Sequence, residues 1–398
     1  MVKIKPMPVN YLHINEQINR MGAQTRQRQL DFEQRKFEAF ECLQAYNNRT
    51  DELNERIRSA LETSPSFRCA LPGGSPLMAV GDAPETDQDC VIWAADGSQI
   101  TPNFHDPVPF GVINIGAFRL ATVALNQPPG ETVFSRLLDE DELNGEHRIT
   151  EDIMALKRDL DERSFLAELA SQETLPVVSL TDGPLELFLD PKERSEYRRM
   201  FDDYLSALQK LASPQTAAAG YIDRPRSDLI IRSLELTKLG AADLKQAGRN
   251  RPFQGIKDVD LFEKILQPGQ RSAIFAIQSP SAAKFTGELA LFFFYLNVGF
   301  TGDPSLARVE VPAWVVNQPG LLSLLHTCLV KQCRMLGSRP YPYALHRAHE
   351  TAVVHASEKE EISNMIIREL NLQGRFIKGS SNKQIHKDES NHKGRVSI

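Results

Sequence analysis

The stretch from about residue 14 to 63 is rich in Gln, Glu, Arg and Leu, and its apolar residues recur at helical spacing. Residues three and four apart share one face of a helix, so the spacing predicts a long amphipathic helix or a helical hairpin. The apolar positions are Phe37, Phe40, Leu53, Ile57 and Leu61. We expect this face to pack on the rest of the chain, and an arm for dimerisation or partner docking is the alternative.

Short apolar runs separated by polar turns come next, and they predict the strands of a sheet. These runs cover 91–95, 110–120, 176–180, 272–277, 289–298 and 307–316. Longer stretches with helical periodicity lie between and after them, at 151–172, 191–212, 226–246, 318–335 and 343–372. Strands mixed with helices in this way indicate an α/β protein.

Composition narrows the class of protein. The chain has 398 residues, of which 41% are hydrophobic, enough for one large domain with additions or for two domains. Its formal net charge of -6 argues against a histone-like protein that holds nucleic acid by overall charge. The acidic total does not exclude a nuclease, because a local basic groove can lie on an acidic protein.

The chain has no apolar run of 18 residues and no signal-peptide core at its N-terminus, so we expect a cytoplasmic protein with no membrane contact. Its five cysteines form no CxxC pair, which predicts reduced thiols rather than a disulfide frame or a zinc site. The last segment, 376–398, is polar and nearly free of apolar residues, so we expect it to be disordered.

Two aspartates share one placement. Asp96 and Asp182 each follow an apolar, strand-like run and each is followed by glycine. One such sequence by itself is usually a turn. Two together favour a site for a hard cation, because a sheet can hold both carboxylates near one another and such cations prefer oxygen ligands.

Such a site needs a further carboxylate, and the predicted helix 151–172 carries several. Most of them must face solvent. Glu162 is our preferred inward residue, because it follows Leu160 by two positions and precedes Phe165 and Leu166 by three and four.

The stretch 341–350 (YPYALHRAHE) places His346, His349 and Glu350 on neighbouring faces of a predicted helix. It matches neither HExxH nor HxxEH, which argues against zinc-protease chemistry. The sequence also lacks GxxxxGK[ST], GxGxxG and GxSxG, so ATP hydrolysis, dinucleotide binding and serine-hydrolase chemistry lose support.

Several stretches, in this order, resemble the NurA nuclease family. They are AADGSQ near 95–99, a helix with Arg158 and Glu162, SLTDGPL (179–185), YIDRPRSD (221–228), DVDLFEKILQPGQRSAIF (258–275), ARVEVPAW (307–314) and YPYALHRAHE (341–350). Each stretch is weak alone, but their order is specific, and together they span roughly 88–356. The resemblance implies an RNase H-like mixed sheet flanked by helices. It divides the chain into an N-terminal helical extension (1–66), a nuclease domain (67–375) and the polar tail.

The resemblance also implies which residues act. Asp96 and Asp182 match the two metal-binding aspartates of the family, and Glu162 matches its helical glutamate. Tyr341 and His349 match the tyrosine and histidine of the C-terminal motif. Asp96, Glu162, Asp182 and His349 are therefore the expected metal ligands, with His349 alternatively a proton donor. Tyr341 is expected to position the phosphate or to stack on a base.

As a function, the resemblance implies a manganese- or magnesium-dependent DNA nuclease with 5'-3' exonuclease and single-strand endonuclease activity. Two ions about 4 Å apart can activate water and stabilise the leaving oxygen. The implied partners are DNA ends, single- or double-stranded, a HerA-type hexameric ATPase, and a second copy of the chain. The alternatives are a catalytically silent adaptor for a translocase and a metal phosphatase acting on small substrates. Arg224 and Arg308 are candidates for DNA-backbone contacts, although structural salt bridges are slightly favoured for both.

Overall fold

The computed structural model describes residues 9–23, 25–85, 88–122, 128–138, 140–143, 149–187, 195–300, 302 and 304–375. Its helices are α1 (Tyr11–Ala23), α2 (Thr25–Tyr46), α3 (Thr50–Thr63), α4 (Glu140–Leu143), α5 (Glu151–Ser171), α6 (Ser195–Leu211), α7 (Leu229–Glu235), α8 (Asp258–Phe262), α9 (Ala313–Val316), α10 (Pro319–Met335), α11 (Tyr343–Ala352) and α12 (Ala356–Leu372). Its strands are β1 (Cys69–Pro72), β2 (Val80–Gly81), β3 (Val91–Ile100), β4 (Gly111–Ala121), β5 (Gly130–Leu138), β6 (Val177–Asp182), β7 (Thr216–Ile222), β8 (Arg271–Ser272), β9 (Phe275–Gln278), β10 (Leu291–Asn297) and β11 (Leu306–Pro312). The expected disordered tail, 376–398, lies outside the described residues.

The chain separates into two units. The first joins the residues up to 80 to two later segments, 226–266 and 272–280. The second contains the remaining residues and holds every candidate site residue.

In the first unit, the helical prediction for 14–63 is confirmed, but the segment forms three helices. The carbonyl and side chain of Asn47 accept hydrogen bonds from Leu77 and Met78, which holds the turn between α2 and α3. Leu53 and Ile57 of the predicted apolar face are buried, whereas Phe37 is exposed. The face therefore packs mainly through α3.

The later segments close this unit around the short antiparallel pair of β1 and β9. The buried carboxylate of Asp258 accepts the backbone N–H groups of Ile230 and Ile231, at 3.0 and 2.9 Å, and so caps α7. Ser233 of α7 donates to the carbonyl of Ala70 in β1. These bonds bring together segments that are far apart in the sequence.

The second unit is built on a mixed sheet with the strand order β10-β11-β7-β6-β3-β4-β5. Strands β3, β4 and β5 form an antiparallel meander, and β6 and β7 run parallel to β3. Strands β11 and β10 then add in antiparallel orientation. A three-strand meander followed by two parallel strands is the RNase H arrangement, so the predicted fold class is confirmed.

Helices cover both faces of this sheet. A side chain on Gly97 of β3 would collide with α5, and one on Gly116 of β4 would collide with α11. Gly116 lies opposite Asp96, the position before Gly97, and successive strand positions face opposite sides. Helices α5 and α11 therefore lie on opposite faces. The buried run 91–95 agrees with this, since strands covered on both faces read as continuous apolar runs.

Several elements differ from the sequence expectations. Strand β3 continues to Ile100, because its ladder with β4 continues to Val112, so Asp96 lies within the strand rather than after it. Strands β1, β2, β5 and β7 were not predicted; β5 is an edge strand with one exposed face and a weak apolar pattern, and β7 is rich in alanine. The helix expected at 343–372 is divided into α11 and α12, because a capping box between His355 and Glu358 starts a new helix.

All five cysteines are free thiols, as the sequence predicted, and all five are buried. Within the described ranges, no helix combines the length and apolar character that a membrane span requires.

Candidate active site

The two aspartates lie side by side on neighbouring strands. Ala95 of β3 pairs with Thr181 of β6 in parallel register, so Asp96 and Asp182 occupy the next row. Neighbouring strands are roughly 4.8 Å apart, and residues in one row of a parallel pair share a face. This register therefore puts Asp96 and Asp182 on the same face of the sheet.

Strand β6 ends at Asp182, whereas β3 continues beyond Asp96. Gly183, with φ of 88°, takes the chain away in a left-handed turn that favours glycine. The edge of β3 past Asp96 is therefore not covered by β6. Side chains from both faces of the sheet can reach this opening.

Helix α11 brings His349 to Asp96. Its Nδ1 lies 2.6 Å from Oδ2 of Asp96, while Oδ1 of Asp96 accepts the backbone N–H of Gly97. The carbonyl of Ala352, at the end of α11, accepts hydrogen bonds from Ser98 and Asn114 and so fixes the helix on β3 and β4. This close approach needs Gly116, where a Cβ would lie 2.4 Å from the backbone nitrogen of Ala352.

Tyr341 lies just before α11 and donates a hydrogen bond from its hydroxyl to Asp182. Burial and the negative charge of Asp182 raise the pKa of Tyr341, so the phenol stays protonated as a donor. Burial also raises the pKa of Asp182, the charge of Asp96 raises it further, and the bond from Tyr341 offsets part of this rise. The two carboxylates thus repel one another and favour a cation between them.

Glu162 reaches the opening from α5, on the other face. Gly97 makes room for it, since a Cβ there would lie 2.6 Å from both Oε1 of Glu162 and Cγ of Arg158. The Glu162 side chain is only 7% exposed, and Nε of Arg158 lies 3.5 Å from its Oε1. Burial, followed by the charge of Asp159, raises the pKa of Glu162 to about 8 despite the nearby arginines.

These side chains line one cavity of about 830 Å³. Of the five predicted site residues, Asp96, Glu162, Asp182 and His349 line it, and Tyr341 stands behind Asp182. Among the described residues, however, no three His, Cys, Asp or Glu side chains are close enough to bind one ion. The structure brings the predicted residues to a common cavity without closing them into a ligand set.

The chemistry of this donor set fits a hard divalent cation. Asp96, Glu162 and Asp182 offer carboxylate oxygens, which are the ligands that magnesium and manganese prefer. Burial of carboxylates without equal positive charge is costly, and the raised pKa values of Glu162 and Asp182 reflect that cost. A bound cation would supply the missing charge.

Asp159 and Arg163 also line the cavity. The sequence offers Asp159 as one of several carboxylates on this helix, with Glu162 preferred, but it indicates no place for Arg163 and no role in the site for Arg158. In the sequence, Arg158 stood out only as the arginine of the Arg-xxx-Glu pair with Glu162. Of the two arginines proposed for DNA contact, Arg308 is buried and pairs with Glu310 at 2.5 Å, so the salt-bridge alternative is correct there. Arg224 is exposed, with 92% of its side chain accessible.

The NurA domain family matches residues 90–354 of the chain. Among curated proteins, no sequence match was found. Among solved structures, the chain is similar to a crystal structure of NurA bound to dAMP and manganese, at 10% identity over 78% of this chain and 92% of that chain, with a TM-score of 0.39. A second NurA crystal structure matches at 9% identity over 71% and 89%, with a TM-score of 0.36. Drosophila Piwi matches at 11% identity over 66% of this chain and 29% of its own, with a TM-score of 0.27.

Proposed function

The chain belongs to the NurA family of nucleases, and on that premise we propose that it is a metal-dependent deoxyribonuclease whose site is the cavity at Asp96. The observation that carries this proposal is the placement of Asp96 and Asp182 in one row of adjacent parallel strands, with Glu162 and His349 lining the same cavity. These four side chains come from four separate elements. The packing of such a fold does not require them to meet at one place, so their meeting supports a chemical role.

Asp96, Asp182 and Glu162 would hold manganese or magnesium, two ions by our proposal, with His349 as a further ligand or as a proton donor. Bound cations would activate a water molecule and stabilise the charge on the phosphate.

The remaining contacts orient these groups. His349 and the N–H of Gly97 fix the two oxygens of Asp96, and the Tyr341 hydroxyl fixes Asp182. Because Nδ1 of His349 is bonded to Asp96, its Nε2 is left for the substrate, where it can deliver a proton to the leaving oxygen. Tyr341 then acts through Asp182 rather than by stacking on a base.

The size of the cavity favours an unpaired strand as substrate. At about 830 Å³ it lies within the roughly 300–1,000 Å³ of ordinary small-ligand sites, and a duplex is far larger. Tyr197 gives the wall an aromatic surface on which a base can stack without regard to sequence, and Leu187 adds an apolar surface beside it. We propose that the terminal nucleotides of a single strand enter the cavity, in agreement with exonuclease and single-strand endonuclease activity.

We also propose the partners that the family resemblance implies, a HerA-type hexameric ATPase and a second copy of the chain. The sequence has no phosphate-binding loop, so movement along DNA would be powered by the partner. A homodimer would place two sites about a two-fold axis, which suits the two strands of a duplex end. Sedimentation at micromolar concentration tests the dimer, and a strictly monomeric protein would contradict it.

The direct test uses labelled single-stranded and duplex DNA with manganese, with magnesium and with a chelator. We expect cleavage with metal, faster on single strands, and none with the chelator. A protein that binds a HerA-type ATPase and stimulates it without cleaving any DNA would be the silent adaptor instead. Hydrolysis of p-nitrophenyl phosphate with no cleavage of DNA would identify a small-substrate phosphatase.

A further inference from the structure

Arg158 has no part in the mechanism above, yet its side chain lies among the carboxylates of the cavity. Building on the proposed metal-dependent function, we infer that the Arg158 guanidinium takes the place of the metal cations in the metal-free protein and moves out when they bind. Arg158 is then a positioning residue. Until metal binds, its guanidinium keeps the carboxylates apart and balances their negative charge.

The guanidinium is held by charge. Its Nη2 lies 3.2 Å from Asp159 and its Nε 3.5 Å from Glu162. Burial works against the charge of Arg158, but Asp159, Glu162 and Asp96 together raise its pKa above the ordinary value. Three carboxylates on the cavity wall therefore act on one cation.

Few directional contacts hold this side chain in place. Its Nη2 donates one hydrogen bond to Asp159 at 3.2 Å. Within the described part of the chain, its buried Nε has no hydrogen-bond partner, so no directional bond anchors it on Glu162. The stem of Arg158 lies on Gly97, where no side chain obstructs it, and 31% of the side chain is exposed. A rotation of this flexible stem takes the charged group from the carboxylates toward solvent.

Arg163, on the same helix, makes the contrast. It is buried, its Nε donates to the hydroxyl of Tyr204 at 3.1 Å, and that hydroxyl donates to the carbonyl of Leu185. Arg163 is therefore fixed in place in both states. Arg158 is the cation of the cavity wall that can exchange with a metal.

Exchange also accounts for the open arrangement of the carboxylates. A guanidinium and a divalent cation in the same place would repel one another strongly in a partly buried site. The metal-free protein therefore keeps Arg158 in the cavity and the carboxylates apart, and no three donors among the described side chains meet. With metal bound, Arg158 moves out and faces the phosphates of the substrate.

The test measures manganese binding by titration calorimetry without DNA. Arg158→Gln removes the competing cation, so we expect it to bind manganese at least about tenfold more tightly than the wild-type protein. Arg136→Gln is the matched control, because Arg136 pairs with Asp161 of the same helix, which is not a cavity residue. Its affinity for manganese should equal that of the wild type.

Thermal unfolding gives a second readout that does not depend on enzymatic activity. In chelator, Arg158→Gln should melt below the wild type, because the carboxylates lose the counter-charge of Arg158; saturating manganese should remove the difference. Arg158→Lys, which keeps the charge, should behave like the wild type in both measurements.

Wild-type protein that binds manganese, together with an Arg158→Gln variant that binds it equally or more weakly, would overturn the exchange while leaving the nuclease proposal standing. Equal tightening in Arg136→Gln would overturn it as well, since the effect would then be one of overall charge. If no variant binds manganese and none cleaves DNA, the proposed function itself is wrong, and the exchange falls with it.

Discussion

Glu162→Gln should stabilise the metal-free protein while removing a proposed ligand. The Glu162 carboxyl is buried, and burial together with the charge of Asp159 raises its pKa from 4.5 to about 8. An acid whose pKa is higher in the folded protein than in the unfolded chain destabilises the folded state at any pH where the unfolded chain has lost the proton. Glutamine has the same shape and no charge, so the variant avoids this cost.

The sign and size follow from the two pKa values. Below pH 4.5 the carboxyl of Glu162 is protonated in both states, and the variant should equal the wild type. As the pH rises from 4.5 to about 8, the free energy of unfolding of the wild type falls, and above pH 8 the full loss is reached. At 1.36 kcal/mol per pKa unit, that loss is about 5 kcal/mol at most.

The assay is urea unfolding in chelator, at pH 5 and at pH 9. Both tryptophans of the chain, Trp93 and Trp314, lie in the same unit as Glu162, so their fluorescence reports on that unit. We expect Glu162→Gln to be more stable than the wild type by several kcal/mol at pH 9 and by little at pH 5. The control is Glu168→Gln, an exposed position on the same helix, which should change stability at neither pH.

A Glu162→Gln variant that is equally or less stable than the wild type at pH 9 would refute this reasoning. It would mean that Glu162 is ionised at no cost in the folded protein, and that Arg158 and Arg163 compensate it fully. The site would then have no uncompensated negative charge for a metal cation to balance.

Three further substitutions probe the site. Asp96→Asn should abolish manganese-dependent cleavage, by about a thousandfold or more, and leave folding intact, because an amide keeps the shape without the charge; unchanged activity would remove Asp96 from the mechanism. Tyr341→Phe should move the acidic limb of the pH–rate profile to higher pH. In the wild type the hydrogen bond from Tyr341 lowers the pKa of Asp182, so its loss should raise that pKa; an unmoved limb would contradict the contact. Gly97→Ala should cost about 1–3 kcal/mol of stability, measured by urea unfolding, because its Cβ would lie 2.6 Å from Glu162; an unaffected midpoint would show that α5 can yield.

The part of the site that lies on strands could be predicted because local sequence decides it. An apolar run ending at Thr181-Asp182-Gly183 predicts a buried strand and the turn that follows, and the structure has both. The run 91–95 likewise predicts β3. The sequence could not show that β3 continues through polar residues to Ile100, because the ladder with β4 and the bond from Ser98 to α11 sustain it.

The helical carboxylate could be predicted from periodicity, because apolar neighbours three and four positions away fix which side of α5 turns inward. Glu162 is buried as that pattern requires. Its neighbour Arg158 could not be assigned a place in the cavity, because an arginine on a helix face ordinarily extends into solvent. Its position depends on the missing side chain of Gly97, on a strand some sixty residues earlier.

The division of the chain into these two units could not be predicted from the sequence either. The bonds that tie 226–266 to the first 80 residues, such as Ser233 to Ala70 in β1, join residues far apart in the chain and leave no local pattern. Periodicity predicted helix content in 226–246, and the structure has α7 followed by short 3-10 turns there. Which core those helices join is decided by long-range packing alone.

The most direct test of the proposed metal site is a crystal structure of the protein soaked in manganese, with anomalous diffraction measured at the manganese edge. We expect anomalous peaks in coordinating contact with the carboxylates of Asp96 and Asp182, with Glu162 drawn toward them and the guanidinium of Arg158 displaced. A manganese-soaked crystal with no peak in this cavity, or with its peaks bound elsewhere on the chain, would contradict the account.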